Sequence, residues 1–105
     1  SRGQIKIDST LDLHGMNQEE AKDATINFVR MAKKNNLSIV LIITGKGISK
    51  DNANDGHRTS FARGILNQSL PNWLKLPQIR NYINGYRYAN LKHGGEGAYY
   101  ILLKT

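Results

Sequence analysis

Apolar and polar positions along the chain alternate between a strand period and a helix period. Leu11 and Leu13 interleave with Asp12 and His14, so a strand is expected over about Ile5 to His14. Its leucines would face a core while the acid and the imidazole share the other face. A helical period follows, with Ala21, Ala24, Phe28 and Met31 or Ala32 on one side. Asn17 and Glu20 are spaced as a capping box at its start. Lys33, Lys34, Asn35 and Asn36 end it, with cations at the negative end of the helix dipole and an asparagine that tolerates a left-handed exit. Ile39 to Ile43 is an unbroken, largely β-branched run, as in a central or deeply buried strand.

Glycine and proline punctuate the second half. Thr44-Gly45-Lys46-Gly47 opens a polar loop that reaches about Gly56. A second helix is expected from about Arg58 to Ser69, with Phe61, Ala62, Ile65, Leu66 and Leu70 inward. Pro71-Asn72-Trp73-Leu74 then reads as a turn whose Trp73 closes one end of the core. Strands at about Arg80 to Tyr88 and Ala98 to Leu103 flank His93-Gly94-Gly95-Glu96-Gly97. The order is β-α-β-α-β-β, which predicts a two-layer α/β sandwich with both helices on one side of a mixed sheet.

Composition narrows the class. At 105 residues the chain reads as a single domain, 1–105, with residues 1–4 a flexible or boundary segment rather than a targeting signal. No apolar run approaches the roughly 18 residues of a membrane span. The chain has no cysteine, which excludes disulfides, a thiolate nucleophile and a thiolate zinc site, and fits a cytoplasmic setting. The formal charge of +7 is uneven: up to Asp55 eight basic residues nearly cancel seven acids, whereas from Gly56 seven basic residues face only Glu96. A basic half of this kind points to a polyanion, and nucleic acid is the usual one, although a solubilising surface has the same composition.

Three short motifs carry possible chemistry. Asp12 beside His14 is a carboxylate–imidazole pair suited to acid–base or phosphate chemistry. Thr44-Gly45-Lys46-Gly47 leaves a strand as a glycine turn whose amides, lysine and hydroxyl suit a phosphate. It has neither P-loop nor dinucleotide-fingerprint spacing, and a plain tight turn would also need these glycines. His93-Gly94-Gly95-Glu96-Gly97 reads either as a wrap around a phosphodiester or, for its glycines, as a hairpin connection, the simpler reading for His93. Asp12 and His14 amount to half a metal site, with no further ligand at recognisable spacing.

In this order, Leu11-Asp12-Leu13-His14-Gly15, Thr44-Gly45-Lys46-Gly47 and Gly94-Gly95-Glu96-Gly97-Ala98 closely resemble the motifs of the Smr domain, the small MutS-related domain. The resemblance covers nearly the whole chain, and Pro71-Asn72-Trp73-Leu74 is similar to its bacterial stand-alone branch. The segment from Ile48 to Gly56 departs from it, being longer and more polar.

The resemblance implies a fold similar to the C-terminal domain of bacterial translation initiation factor three, and nicking of DNA or cleavage of RNA. On that reading His14 acts as general base or acid and Asp12 orients it. Thr44, Gly45, Lys46, Gly47, His93, Gly94, Gly95 and Gly97 hold the scissile phosphate, while Arg58, Arg63, Arg87 and Lys92 grip flanking phosphates. No fixed cofactor is implied; Mg²⁺ or Mn²⁺, held partly by Asp12, enters only if DNA is the substrate. The expected partners are nucleic acid or the ribosome, met by a monomer without a membrane. A non-catalytic nucleic-acid- or ribosome-binding module is the alternative, and a protein–protein adaptor a third reading.

Overall fold

The computed structural model describes residues 4–46 and 64–105. Strands β1 (Ser9–Asp12), β2 (Ile39–Ile43), β3 (Ile83–Tyr88) and β4 (Ala98–Leu103) form one sheet in the order β1-β2-β4-β3. β1 pairs parallel with β2, and β4 pairs antiparallel with both β2 and β3. Helices α1 (Gln18–Lys34) and α2 (Ile65–Trp73) cover one face, where Val29, Leu70, Leu13, Val40, Ile42 and Ile101 share a core. The opposite face carries a smaller cluster of Leu41, Ala89, Ala98 and Tyr100, with Ile5 and Ile7 packed against it. β2 is thus covered on both sides, as its continuous apolar run requires.

Local chemistry explains most boundaries. Asn17 Oδ1 accepts from the Glu20 amide at 2.8 Å, and Glu20 Oε1 accepts from the Asn17 amide at 3.1 Å, which completes the capping box of α1. The helix leaves through Asn36 at φ 59°, as expected of an asparagine exit. Its buried stripe is Ala21, Thr25, Ile26, Val29 and Ala32, with Ala24 and Phe28 half-buried. Met31 is exposed, because Ala32 takes the inward position at that turn.

Other boundaries differ from expectation. The first strand is shorter than Ile5 to His14. Asp8 Oδ2 accepts the amides of Ser38 and Ile39 at 2.8 and 3.1 Å, which ends the ladder and frees Ile5 and Ile7 to pack on the sheet face. Arg80–Tyr82 form a 3₁₀ turn rather than strand, because the buried Ile79 anchors the chain just before it.

The second helix also differs. Within the described residues it begins after Gly64, at φ 80°, and it runs through Pro71 instead of stopping at Ser69. Proline lacks the N–H that would bond the Asn67 carbonyl one turn earlier. The Tyr99 hydroxyl donates to that carbonyl at 3.2 Å, so the helix loses little by containing proline. Arg58, Phe61, Ala62 and Arg63 lie outside the described residues, as does Gly47. Among the described residues no helix is long and apolar enough to cross a membrane.

Candidate functional site

Strand direction gathers the three motifs. Asp12 and Ile43 are neighbours at the C-terminal ends of the parallel pair, and Ala98 at the start of β4 faces Ile43. Ala89, just past β3, donates its amide to the Ala98 carbonyl at 2.9 Å. Asp12, Ile43, Ala98 and Ala89 therefore form one row across the end of the sheet. At about 4.8 Å between strands, roughly 10 Å separates the Asp12 and Ala98 backbones. Each of the three motifs begins or ends at this row.

Asp12 and His14 are directly bonded. Asp12 Oδ1 lies 2.7 Å from His14 Nδ1 and accepts the His14 amide at 3.0 Å. The imidazole bond is the main reason the Asp12 carboxyl titrates below its usual value; partial burial opposes it slightly. A carboxylate only accepts, so Nδ1 carries a proton, and in the neutral form of the ring Nε2 presents the lone pair. The pair is open to a large ligand, with 73% of the His14 side chain and 47% of the Asp12 side chain exposed. Leu13 between them is fully buried and fixes the turn on the core.

The two glycine loops interlock. The amides of Thr44 and Gly45 both donate to the Gly97 carbonyl at 2.9 Å. The amides of Gly94, Gly95 and Gly97 donate to Leu91, Asn90 and Gly94 carbonyls respectively. A Cβ on Gly97 would stand 3.3 Å from the Lys46 amide, so the close approach of the loops leaves little room for a side chain there. Gly94 sits at φ 119°, and a Cβ on it would come within 2.9 Å of the Ala98 methyl. These glycines serve first the fit of loop on loop. Thr44 is buried, and its hydroxyl donates within the loops to carbonyl oxygens. Lys46 is exposed at the same end.

Asn67 is the residue that sequence reasoning missed. From α2 its amide nitrogen donates to Thr44 Oγ1 at 2.8 Å and to the Glu96 carbonyl at 2.7 Å, stitching both loops to the helix. Its oxygen accepts from the Tyr88 hydroxyl at 3.3 Å. The only mark of this in the sequence is a polar residue among Ile65, Leu66 and Leu70.

On the face away from the helices, His93 Nδ1 lies 2.6 Å from the hydroxyl of the buried Tyr100, which also accepts the Asn90 amide at 3.1 Å. The Arg87 guanidinium sits 4.8 Å over the Tyr100 ring. Lys92 is exposed in the neighbouring turn. Thr44, Gly45, Lys46, Lys92, His93, Gly94, Gly95 and Gly97 thus accompany the Asp12–His14 pair at one end of the sheet, with Arg87 close below. Arg58, Arg63 and Gly47 cannot be placed, lying outside the described residues. No group of three or more His, Asp or Glu that could hold a metal occurs among the described residues. Asp12 and His14 supply two candidate ligands among the described residues, and one Asp12 oxygen is already engaged by the imidazole.

Known proteins resemble this chain in sequence and fold. The chain aligns with the ribosome rescue factor SmrB of Aeromonas hydrophila at 29% identity over 102 residues, covering 97% of this chain and 48% of that protein. With SmrB of Aliivibrio fischeri strain MJ11 identity is 31% over 103 residues, at the same coverage. The chain spans about half the length of these curated relatives. The crystal structure of the Smr domain of Thermus thermophilus MutS2 superposes with a TM-score of 0.71 at 21% identity, covering 92% of this chain and 99% of that one. That of YdaL, a stand-alone small MutS-related protein from Escherichia coli, gives 0.66 at 28% identity, covering 98% and 70%. The Smr domain family model matches residues 11–104, and the chain belongs to the Smr domain family.

Proposed function

We propose that this domain binds nucleic acid at the motif-bearing end of its sheet and works in a ribosomal setting, in the cytoplasm. The relatives called ribosome rescue factors support the setting. The observation that carries the binding reading is the clustering of exposed Lys46, Lys92 and His14 around two interlocked glycine loops. Backbone phosphates are the ligand such a surface fits, because exposed cations hold them without reading sequence. The test is co-sedimentation with ribosomes and anisotropy with labelled RNA. Salt-sensitive binding, weakened by Lys46→Ala with Lys92→Ala, is expected. Binding untouched by that pair sinks the reading.

The geometry of Asp12 and His14 favours a second reading, endonucleolytic cleavage. On RNA, His14 Nε2 would take the proton of a 2′-hydroxyl, whose oxygen attacks the adjacent phosphorus. The bond to the 5′-oxygen breaks, that oxygen receives a proton, and a 2′,3′-cyclic phosphate and a 5′-hydroxyl result. Asp12 keeps Nδ1 protonated and stabilises the imidazolium formed. Lys46 would offset charge growing on the phosphate. A cleavage panel of single-stranded RNA, duplex DNA and branched DNA, with product ends mapped in the presence and absence of EDTA, tests this. Loss of at least about 100-fold is expected for His14→Ala. Unchanged rates in a folded His14→Ala chain rule out the pair as the cleaving group.

A further inference from the structure

Beyond the motif-bearing end, β3 carries two exposed aromatic rings on the helix side of the sheet. Tyr86 and Tyr88 are 37% and 44% exposed, and both pack on the buried Tyr99, with ring centroids 6.0 and 4.8 Å from it. Being two residues apart on an edge strand, they stand on one face, about 6.7 Å apart along the strand. Tyr88 is tied to the glycine loops, since its hydroxyl donates to the same Asn67 side chain that holds Thr44 and the Glu96 carbonyl. At the other end of the row, Tyr86 lines a cavity of about 300 Å³ whose floor includes Leu74 and Ile83 and whose lining includes Lys75 and Arg80. An apolar floor, an aromatic wall and two cations in one cavity match a base with its phosphates.

We infer that the helix-side edge of β3 is a binding track for single-stranded nucleic acid, with bases stacking on Tyr88 and Tyr86 and phosphates meeting Lys75 and Arg80. This rests on the nucleic-acid reading above and adds the strandedness of the ligand and its path away from Asp12 and His14. Rigid tyrosines anchored on Tyr99 offer a π-face to any base, so the track is tolerant of sequence. A duplex buries its base faces in its own stack and cannot use them. The track also accounts for two large aromatic side chains left open on the strand whose Ile83 packs on the core.

The experiment uses the chain with His14→Ala, which removes an exposed ring and keeps any cleavage out of the measurement. Fluorescence anisotropy follows binding of a labelled dodecameric oligouridylate, its deoxyribose counterpart and a blunt duplex of the same length. The single strands are expected to bind more tightly than the duplex. Adding Tyr86→Leu, which keeps bulk but removes the π-face, should weaken single-strand binding about fivefold or more, whereas Tyr86→Phe stays within about twofold. Lys75→Ala with Arg80→Ala should weaken it and flatten its salt dependence. Equal affinity of the Tyr86→Leu and Tyr86→Phe chains overturns the track. Equal losses on duplex and single strand overturn it too, while leaving nucleic-acid binding itself intact. If no oligonucleotide binds at all, the binding reading fails together with the track.

Discussion

The Asp8 carboxylate accepts two main-chain amides, Ser38 first and Ile39 second, and those bonds hold its pKa below the ordinary carboxylate value. Asp12 is lowered in the same direction, chiefly by the His14 ring. A group titrating lower in the folded chain than in the unfolded one contributes stability above its unfolded pKa and loses it as pH falls through the folded value. Both carboxylates therefore stabilise the domain near neutrality and cease to do so in acid, from about pH 4 downward. Asp8→Asn is expected to lower the urea midpoint at pH 6, and to shrink the further drop between pH 5 and pH 3. Parallel acid limbs for wild type and Asp8→Asn would contradict this. At the same scale the Asp12–His14 pair was legible in the sequence, because alternation about the buried Leu13 leaves both polar side chains on one side. Asp8 was not, because its partners lie thirty residues on and no local pattern names them.

At the scale of elements, α2 shows where sequence rules mislead. Proline argues for a turn because it leaves a carbonyl without a donor, and that argument holds only if nothing else donates. Here Tyr99, on the neighbouring β4, supplies the hydroxyl, and burial with the adjacent Tyr88 pushes its pKa up so that it stays a donor. Tyr99→Phe is expected to cost about 1–3 kcal/mol by orphaning the Asn67 carbonyl. In a Pro71→Ala background an alanine amide can take that carbonyl, so the same substitution should cost less. Urea unfolding of the four chains of this cycle measures the difference, and an equal cost in both backgrounds refutes the coupling. Elements whose signals are local, such as the capping box of α1 and the apolar runs of β2 and β4, were readable. Elements completed by a partner from elsewhere, such as the last turn of α2 and the shortened β1, were not.

For the whole molecule, the decisive fact is that a parallel pair and an antiparallel hairpin share one sheet end. Each motif by itself was readable, and their meeting follows from strand order, which apolar periodicity does not fix. Asn67, which clamps both glycine loops, is a product of that meeting and had no signature beforehand. If this end is where nucleic acid sits, charge should matter by position and not by sum. Lys46 and Lys92 stand at the motif-bearing end, whereas Lys34, in the last turn of α1, stands at the opposite end of the layer. Each phosphate contact on a single strand contributes about 0.7 to the slope of log K against log salt. Lys46→Ala and Lys92→Ala should each make that slope shallower by about this amount, and the double variant by about twice it. Lys34→Ala removes the same unit charge and should leave the slope unchanged, apart from a small uniform loss of affinity from long-range attraction. Anisotropy titrations of a labelled single-stranded RNA between low and physiological salt read all four slopes. A Lys34→Ala slope as shallow as that of Lys46→Ala would mean that the chain attracts nucleic acid through net charge alone, with no binding end.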